Sequence, residues 1–147
     1  MKLEWSPNFC IGHKSIDEDH RRLFEFVNEF VAAQDLNSAR QTVIRLHDYA
    51  KAHFAREEAI LAVSGASDLI AHRREHEKLA SGINTLLLSQ LTPGKEHKET
   101  EIIQSVATLL ETWIFDHVLV NDMKQKSVIK QLAERMSANK RQAALKS

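Results

Sequence analysis

The chain has 147 residues, 43% hydrophobic and 27% charged, the proportions of one soluble globular domain whose core needs no covalent staple. Twenty Lys and Arg balance twenty Asp and Glu, so no basic surplus speaks for nucleic-acid binding. Cys10 is the single cysteine, which excludes an internal disulfide and a thiolate zinc cluster, and no apolar run approaches the ~20 residues of a membrane span.

Met1 to Trp5 lacks the apolar region of a signal peptide, which places the expected location in the cytoplasm. Residues 1–15, with Pro7 and Gly12, read as an irregular leader. Four stretches of helical periodicity follow. The first spans about Ile16 to Val31, with Ile16, Leu23, Phe24, Val27 and Phe30 on one stripe. The second spans about Ser38 to Val63, with Asn37 or Ser38 able to cap its start and Gly65 following its end. The third spans about Asp68 to Leu91, with Ser67 or Asp68 as cap, and Thr92-Pro93-Gly94 breaks the chain after it. The fourth spans about Glu99 to Val120, with Ile103, Val106, Leu110 and Trp113 along its stripe. Only 4 Gly and 2 Pro interrupt the chain, and no alternating strand pattern occurs. Short connections make neighbouring helices antiparallel. The expected fold is therefore all-α: an up-down-up-down four-helix bundle with an N-terminal loop and a C-terminal helical extension. The whole of 1–147 reads as a single domain, with its core at about 12–122 and the extension at about 123–147.

Eight histidines are many for this length, and most of them follow the apolar stripes. His20 lies four residues after Ile16 and three before Leu23. His53 and Glu57 are an i,i+4 pair on the stripe of the second helix, and His72 and His76 are another on the third. His117 lies four residues after Trp113. Asp122 follows five residues later, near the helix end, where the backbone can deviate. Any one of these could be a satisfied core histidine or a solvated acid. Seven of them on the inner faces of four helices require a shared partner, because buried imidazole and carboxylate are costly unless satisfied. Metal ions meet that need. Five imidazoles and two carboxylates exceed a four-ligand zinc site and suit two six-coordinate ions with carboxylate bridges. Iron fits such donors; manganese or zinc could occupy them too. Glu-x-x-His, required on two helices by ferritin-like di-iron sites, occurs nowhere, and His76-Glu77 lacks the second histidine of a zincin.

These residues resemble the hemerythrin family, its bacterial branch in particular. The resemblance is carried by Trp5…Gly12…Ile16-Asp17-x-x-His20-x-x-Leu23, His53-Phe54-x-x-Glu57-Glu58, His72-x-x-x-His76-Glu77-x-Leu79 and Trp113-Ile114-x-x-His117-x-x-x-x-Asp122. It implies that one iron takes His72, His76 and His117 and the other takes His20 and His53. Glu57 and Asp122 would bridge them beside an oxo or hydroxo group. One position then stays open on the iron with fewer histidines, where dioxygen would bind reversibly. Trp113, Ile114 and Val118 would keep that pocket dry. The family often has Leu and Ile where this chain has Ile114 and Val118, and Ser64-Gly65-Ala66-Ser67 lacks the family's frequent Tyr-Pro.

The expected function is oxygen storage, delivery or sensing, not catalysis. The alternatives are a di-iron enzyme acting on nitric oxide or peroxide, and iron storage. His13, His47 and His97 fall outside the motifs, and Cys10 reads as a buried thiol. From Lys124 to Lys146 the chain carries seven Lys or Arg and one acid, Glu134. This stretch reads as a solvated helix packing one apolar edge, joined to the fourth helix through Leu119 and Val120. It is also a possible surface for a protein partner, and a monomer is the favoured state.

Overall fold

The computed structural model describes residues 3–33, 35–91 and 99–146. Among these the long helices are α1 (Lys14–Ala33), α2 (Leu36–Ser64), α3 (Leu69–Leu91), α4 (Glu99–Glu111) and α5 (Lys126–Lys146). Between α4 and α5 the helix continues as a π-helical segment, Thr112–Asp122, and a 3₁₀ turn, Met123–Gln125. No strand occurs among the described residues. The sequence-expected chain break at Thr92-Pro93-Gly94 and the position of His97 lie outside them.

The architecture is the expected antiparallel four-helix bundle with a helical extension. Leu36 N–H at the start of α2 donates to Glu99 at the start of α4 (3.3 Å), so these two helices begin at the same end of the bundle. The α1 stripe buries Ile16, Leu23, Phe24, Val27 and Phe30, as its periodicity requires. Along α4 the buried positions are Ile102, Val106 and Leu110; Ile103 is only half-buried. Val43, Leu46 and Ala50 of α2 meet Leu79 and Ile83 of α3 in the same core.

Two local features differ from the sequence reading, whereas the Gly65 ending of α2 is as expected. The α2 cap is Asp35, not Asn37 or Ser38: its carboxylate accepts Ser38 N–H at 2.7 Å. At the other end Gly65 takes φ 72°, and Ala66 N–H reaches back to Leu61 O (3.1 Å), so a left-handed residue closes the helix as a side chain with Cβ could not do without strain. Asp68 precedes α3, but its carboxylate accepts twice from Gln125 (2.9 and 2.8 Å) and so ties the start of α3 to the start of the extension.

The leader is ordered by α1. Asn28 exchanges two hydrogen bonds of 2.7 Å with the Leu3 backbone, and Trp5 meets Phe24 edge-on at 5.1 Å. Asp17 accepts the N–H groups of Ile11 (2.7 Å) and Gly12 (3.3 Å). The extension docks through Ile129, which packs with Ile11 and Ile16. Leu119 faces the main core, whereas Val120 is 49% exposed, so the anchor expected at Val120 lies instead at Ile129. Beyond Leu132 the side chains of α5 are exposed through Leu145.

Candidate metal centre

The structure brings all seven sequence-expected residues to one interior point. His20 comes from α1, His53 and Glu57 from α2, His72 and His76 from α3, and His117 and Asp122 from the π-helical segment. All seven are buried. On an α-helix, residues five apart point about 140° away from each other. The wider i→i+5 turn of Thr112–Asp122 lets one segment aim both His117 and Asp122 inward.

The seven side chains form two overlapping groups. Glu57, His72, His76, His117 and Asp122 each offer one ligand atom within 4.8 Å of the others, and so do His20, His53, Glu57 and Asp122. Both carboxylates divide their oxygens between the groups. Glu57 Oε1 touches His72 Nε2 and lies 3.3 Å from His76 Nε2. Its Oε2 lies 3.2 Å from His53 Nε2 and 3.5 Å from His20 Nε2. Asp122 Oδ1 lies 2.8 Å from His72 and 3.2 Å from His117, while Oδ2 lies 3.0 Å from His20.

The chemistry of the donor set fits a metal. His20 Nε2, His53 Nε2, Glu57 Oε2 and both Asp122 oxygens are buried without an aligned hydrogen bond among the described residues. Such atoms are costly when left alone and become ligands beside a cation. His76 Nε2 and His117 Nε2 face each other at 3.1 Å, an arrangement that a cation between several nitrogens favours.

The protonation states tell the same story. Burial pushes His20 down, but Asp122 and Glu57 outweigh it and lift the imidazole to about 9. Burial likewise opposes His72, yet Asp122 and Glu57 raise it to about 10. For His117 burial wins over its acidic neighbours and lowers it to about 4. Burial would raise the Glu57 carboxyl, but contacts with His20, His53, His72 and His76 hold it well below the usual range. The Glu57 carboxylate and the imidazoles of His20 and His72 thus favour each other's charged forms inside the core.

Four further residues orient the cluster. His53 Nδ1 donates to Asp19 Oδ2 (3.0 Å), and His76 Nδ1 donates to Glu58 Oε2 (3.1 Å). A carboxylate only accepts, so each contact fixes the proton on Nδ1 and turns Nε2 inward as a free donor. Asp19 is gripped by Arg56 through two bonds (2.9 and 2.7 Å), and Glu58 by Arg73 (3.0 Å). Burial would raise the Asp19 carboxyl, but His53 and Arg56 lower it below its ordinary value. Sequence reasoning quoted Glu58 only as part of a motif and passed over Asp19, Arg56 and Arg73. The available signal was the position of Asp19, next to His20 and one turn before Leu23.

Aromatic rings wall the histidines. Phe54 stacks on His76 at 4.0 Å and 10°, and Tyr49 on His53 at 5.3 Å and 15°. Trp113, Ile114 and Val118, the expected pocket residues, are fully buried in the same core, and Trp113 lies 5.3 Å from Phe54 and 5.9 Å from Tyr49. His47 is exposed, and His13 is half-buried, as is Cys10, where the sequence reading expects a buried thiol; none of the three belongs to the cluster.

The family model described as "Hemerythrin HHE cation binding domain" matches residues 12–138, from the leader to just past the middle of α5. A bacteriohemerythrin of Clostridium acetobutylicum is 28% identical over 126 residues, 80% of this chain and 94% of that protein. A hemerythrin-like protein of Naegleria gruberi is 28% identical over 127 residues, 86% and 93% of the two chains. A bacteriohemerythrin of Stenotrophomonas maltophilia is 28% identical over 131 residues, 87% and 82% of the two. With a family match across most of its length and a buried His/Glu/Asp cluster at the bundle centre, the chain belongs to the hemerythrin family.

Proposed function

We propose that this protein binds dioxygen reversibly at a pair of non-heme iron ions. The ligands would be His20, His53, Glu57, His72, His76, His117 and Asp122, and an oxo or hydroxo bridge would complete the pair. One observation carries the reading: Glu57 turns one oxygen toward His72, His76 and His117 and the other toward His20 and His53, and Asp122 turns one toward His72 and His117 and the other toward His20. Carboxylates so shared suit a bridged pair of ions rather than one. The three-to-two split of imidazoles gives the ions unequal donor sets, and the poorer one has room for a small ligand. Bound iron supplies the redox activity that reversible oxygen binding requires.

The protein's own part is to hold and to shield. Phe54 lies 6.1 Å from His117, Trp113, Ile114 and Val118 are buried in the same core, and none of the four offers an acid or base to move a proton. This favours a binding protein for storage, delivery or sensing over an enzyme. The whole chain is taken as one domain, with its core at about 12–122. No helix among the described residues is long and apolar enough to cross a membrane, and a cytoplasmic location remains part of the proposal.

The test is anaerobic loading with ferrous ion, metal analysis, and optical spectra before and after oxygen. Two irons per chain and a visible absorption that bleaches when oxygen is withdrawn are the expected result. Sustained turnover of nitric oxide or peroxide with poor oxygen reversibility would instead assign an enzyme, and many irons per chain would assign storage.

A further inference from the structure

We propose that Asp19, clamped by Arg56, is a positioning residue that governs the two-histidine half of the site through the ring of His53. The proposal rests on the iron-binding reading above.

Three contacts hold the His53 ring. Its Nδ1–H points at the buried Asp19 Oδ2, 3.0 Å away. Its face is covered by Tyr49 at 5.3 Å and 15°. The Tyr49 hydroxyl in turn donates to the backbone carbonyl of Asp19, so one residue anchors both the ring's edge and the plate across its face. Asp19 cannot swing away, because the Arg56 guanidinium grips both its oxygens in a fork. Arg56 reaches it from the side of α2, with its own side chain 44% exposed. The buried charge thus has a partner and a route to solvent.

The two halves of the site are not treated alike. His20, the other imidazole on the two-histidine side, has no hydrogen-bond partner at Nδ1 among the described residues. On that side, among the described residues, His53–Asp19 is the one contact between a carboxylate and an Nδ1. On the three-histidine side, His76 has the analogous contact with Glu58, but Glu58 is 24% exposed against 8% for the Asp19 side chain. A drier contact is electrostatically stronger. A carboxylate on Nδ1–H raises the donor strength of Nε2. Asp19 therefore feeds electron density to the ion that has fewer protein ligands, where retention of the metal and ease of oxidation depend on it most.

Asp19→Asn and Asp19→Ala separate this from a simple tie between α1 and α2. The amide keeps an oxygen for the Nδ1–H but lacks the charge; alanine removes both. In the zinc-loaded protein, ¹H–¹⁵N spectra of the histidine rings report the His53 Nδ1 proton directly. It should persist but shift upfield in Asp19→Asn and vanish into exchange in Asp19→Ala. Affinity for the more weakly held ferrous ion should fall about 10-fold in Asp19→Asn and toward 100-fold in Asp19→Ala, and the reduction potential of the iron pair should rise in both. Arg56→Gln should fall between wild type and Asp19→Asn, with Arg56→Lys recovering part of the loss. If wild type loads two irons and Asp19→Asn changes melting temperature alone, leaving affinity, potential and the Nδ1 proton unmoved, Asp19 only ties helices together and the proposal is overturned. A wild-type protein that cannot hold two irons overturns the iron reading and this proposal together.

Discussion

Asp122 follows His117 by five residues, yet Asp122 Oδ1 lies 3.2 Å from His117 Nε2, because both sit on one π-helical segment. On a regular α-helix the same five-residue step would turn them about 140° apart. Deleting the half-exposed Val120 makes them an i,i+4 pair, which an ordinary α-helix holds on one face as it does His53 and Glu57. The variant should keep its helical circular dichroism and still hold two irons per chain. Loss of an iron by metal analysis would show that the wide turn sets a ligand geometry that a regular turn cannot reproduce.

Glu57 faces all five imidazoles across both groups, so its removal should be felt by both ions. Glu57→Gln should retain less than one iron per chain, whereas His53→Ala should lose mainly the ion on its own side. His76→Ala and His117→Ala should each disturb the other side and abolish the oxygen-dependent spectrum. Equal losses in the Glu57 and His53 variants would argue against a shared carboxylate.

Ferrous ion must displace protons. His20 at about 9 and His72 at about 10 carry protons at neutral pH in the metal-free protein, and a ligand imidazole must give its proton up. Loading should therefore release protons, measurable as a buffer-dependent heat, and apparent affinity should rise with pH. Stability of the metal-free form should run the other way. The raised pKa values of His20 and His72 stabilise the fold fully below the ordinary 6.5, and this is lost as pH climbs through 9 to 10. The lowered His117, neutral in the fold, costs stability as pH falls from 6.5 toward 4. Melting temperature of the metal-free protein should peak between these limits; a steady rise to pH 10 would contradict the assignment.

Leu46 is fully buried in the bundle core, away from the ligand set. Leu46→Ala should cost about 2–5 kcal/mol in chemical unfolding while leaving iron stoichiometry at the wild-type value. Loss of iron with little loss of stability would mean that this part of the core shapes the site.

The extension should divide at its middle. Ile129 is buried against Ile11 and Ile16, so Ile129→Ala should destabilise by about 2–5 kcal/mol. Truncation after Ala138, where the family match ends, removes exposed helix and should leave melting temperature and iron content unchanged. A large drop on truncation would point to contacts made by residues 139–147.

Much of the site could be read from the chain because ligands on a bundle share the spacing of the core. His20 beside Ile16 and Leu23, or His76 three residues before Leu79, had to point inward if their neighbours did. What the sequence left hidden depends on other helices. Asp19 looks like any charge on α1 until α2 brings His53 and Arg56 against it, 34 and 37 residues away. The five-residue step to Asp122 suggested a deviation but not that it begins as early as Thr112. The α2 cap was misplaced because Asp35, Asn37 and Ser38 all suit that role, and only the backbone path selects Asp35.

The ring plates over His53 and His76 have a kinetic corollary. Tyr49 and Phe54 are pressed flat on these imidazoles, and among the described residues His20, His53, Glu57 and Asp122 are closed off from solvent at no more than 1% exposure. Loading must then wait for the helices to breathe apart, so its speed should track transient separation of the bundle and not the supply of metal. Once seated, an ion would be released on that same slow clock.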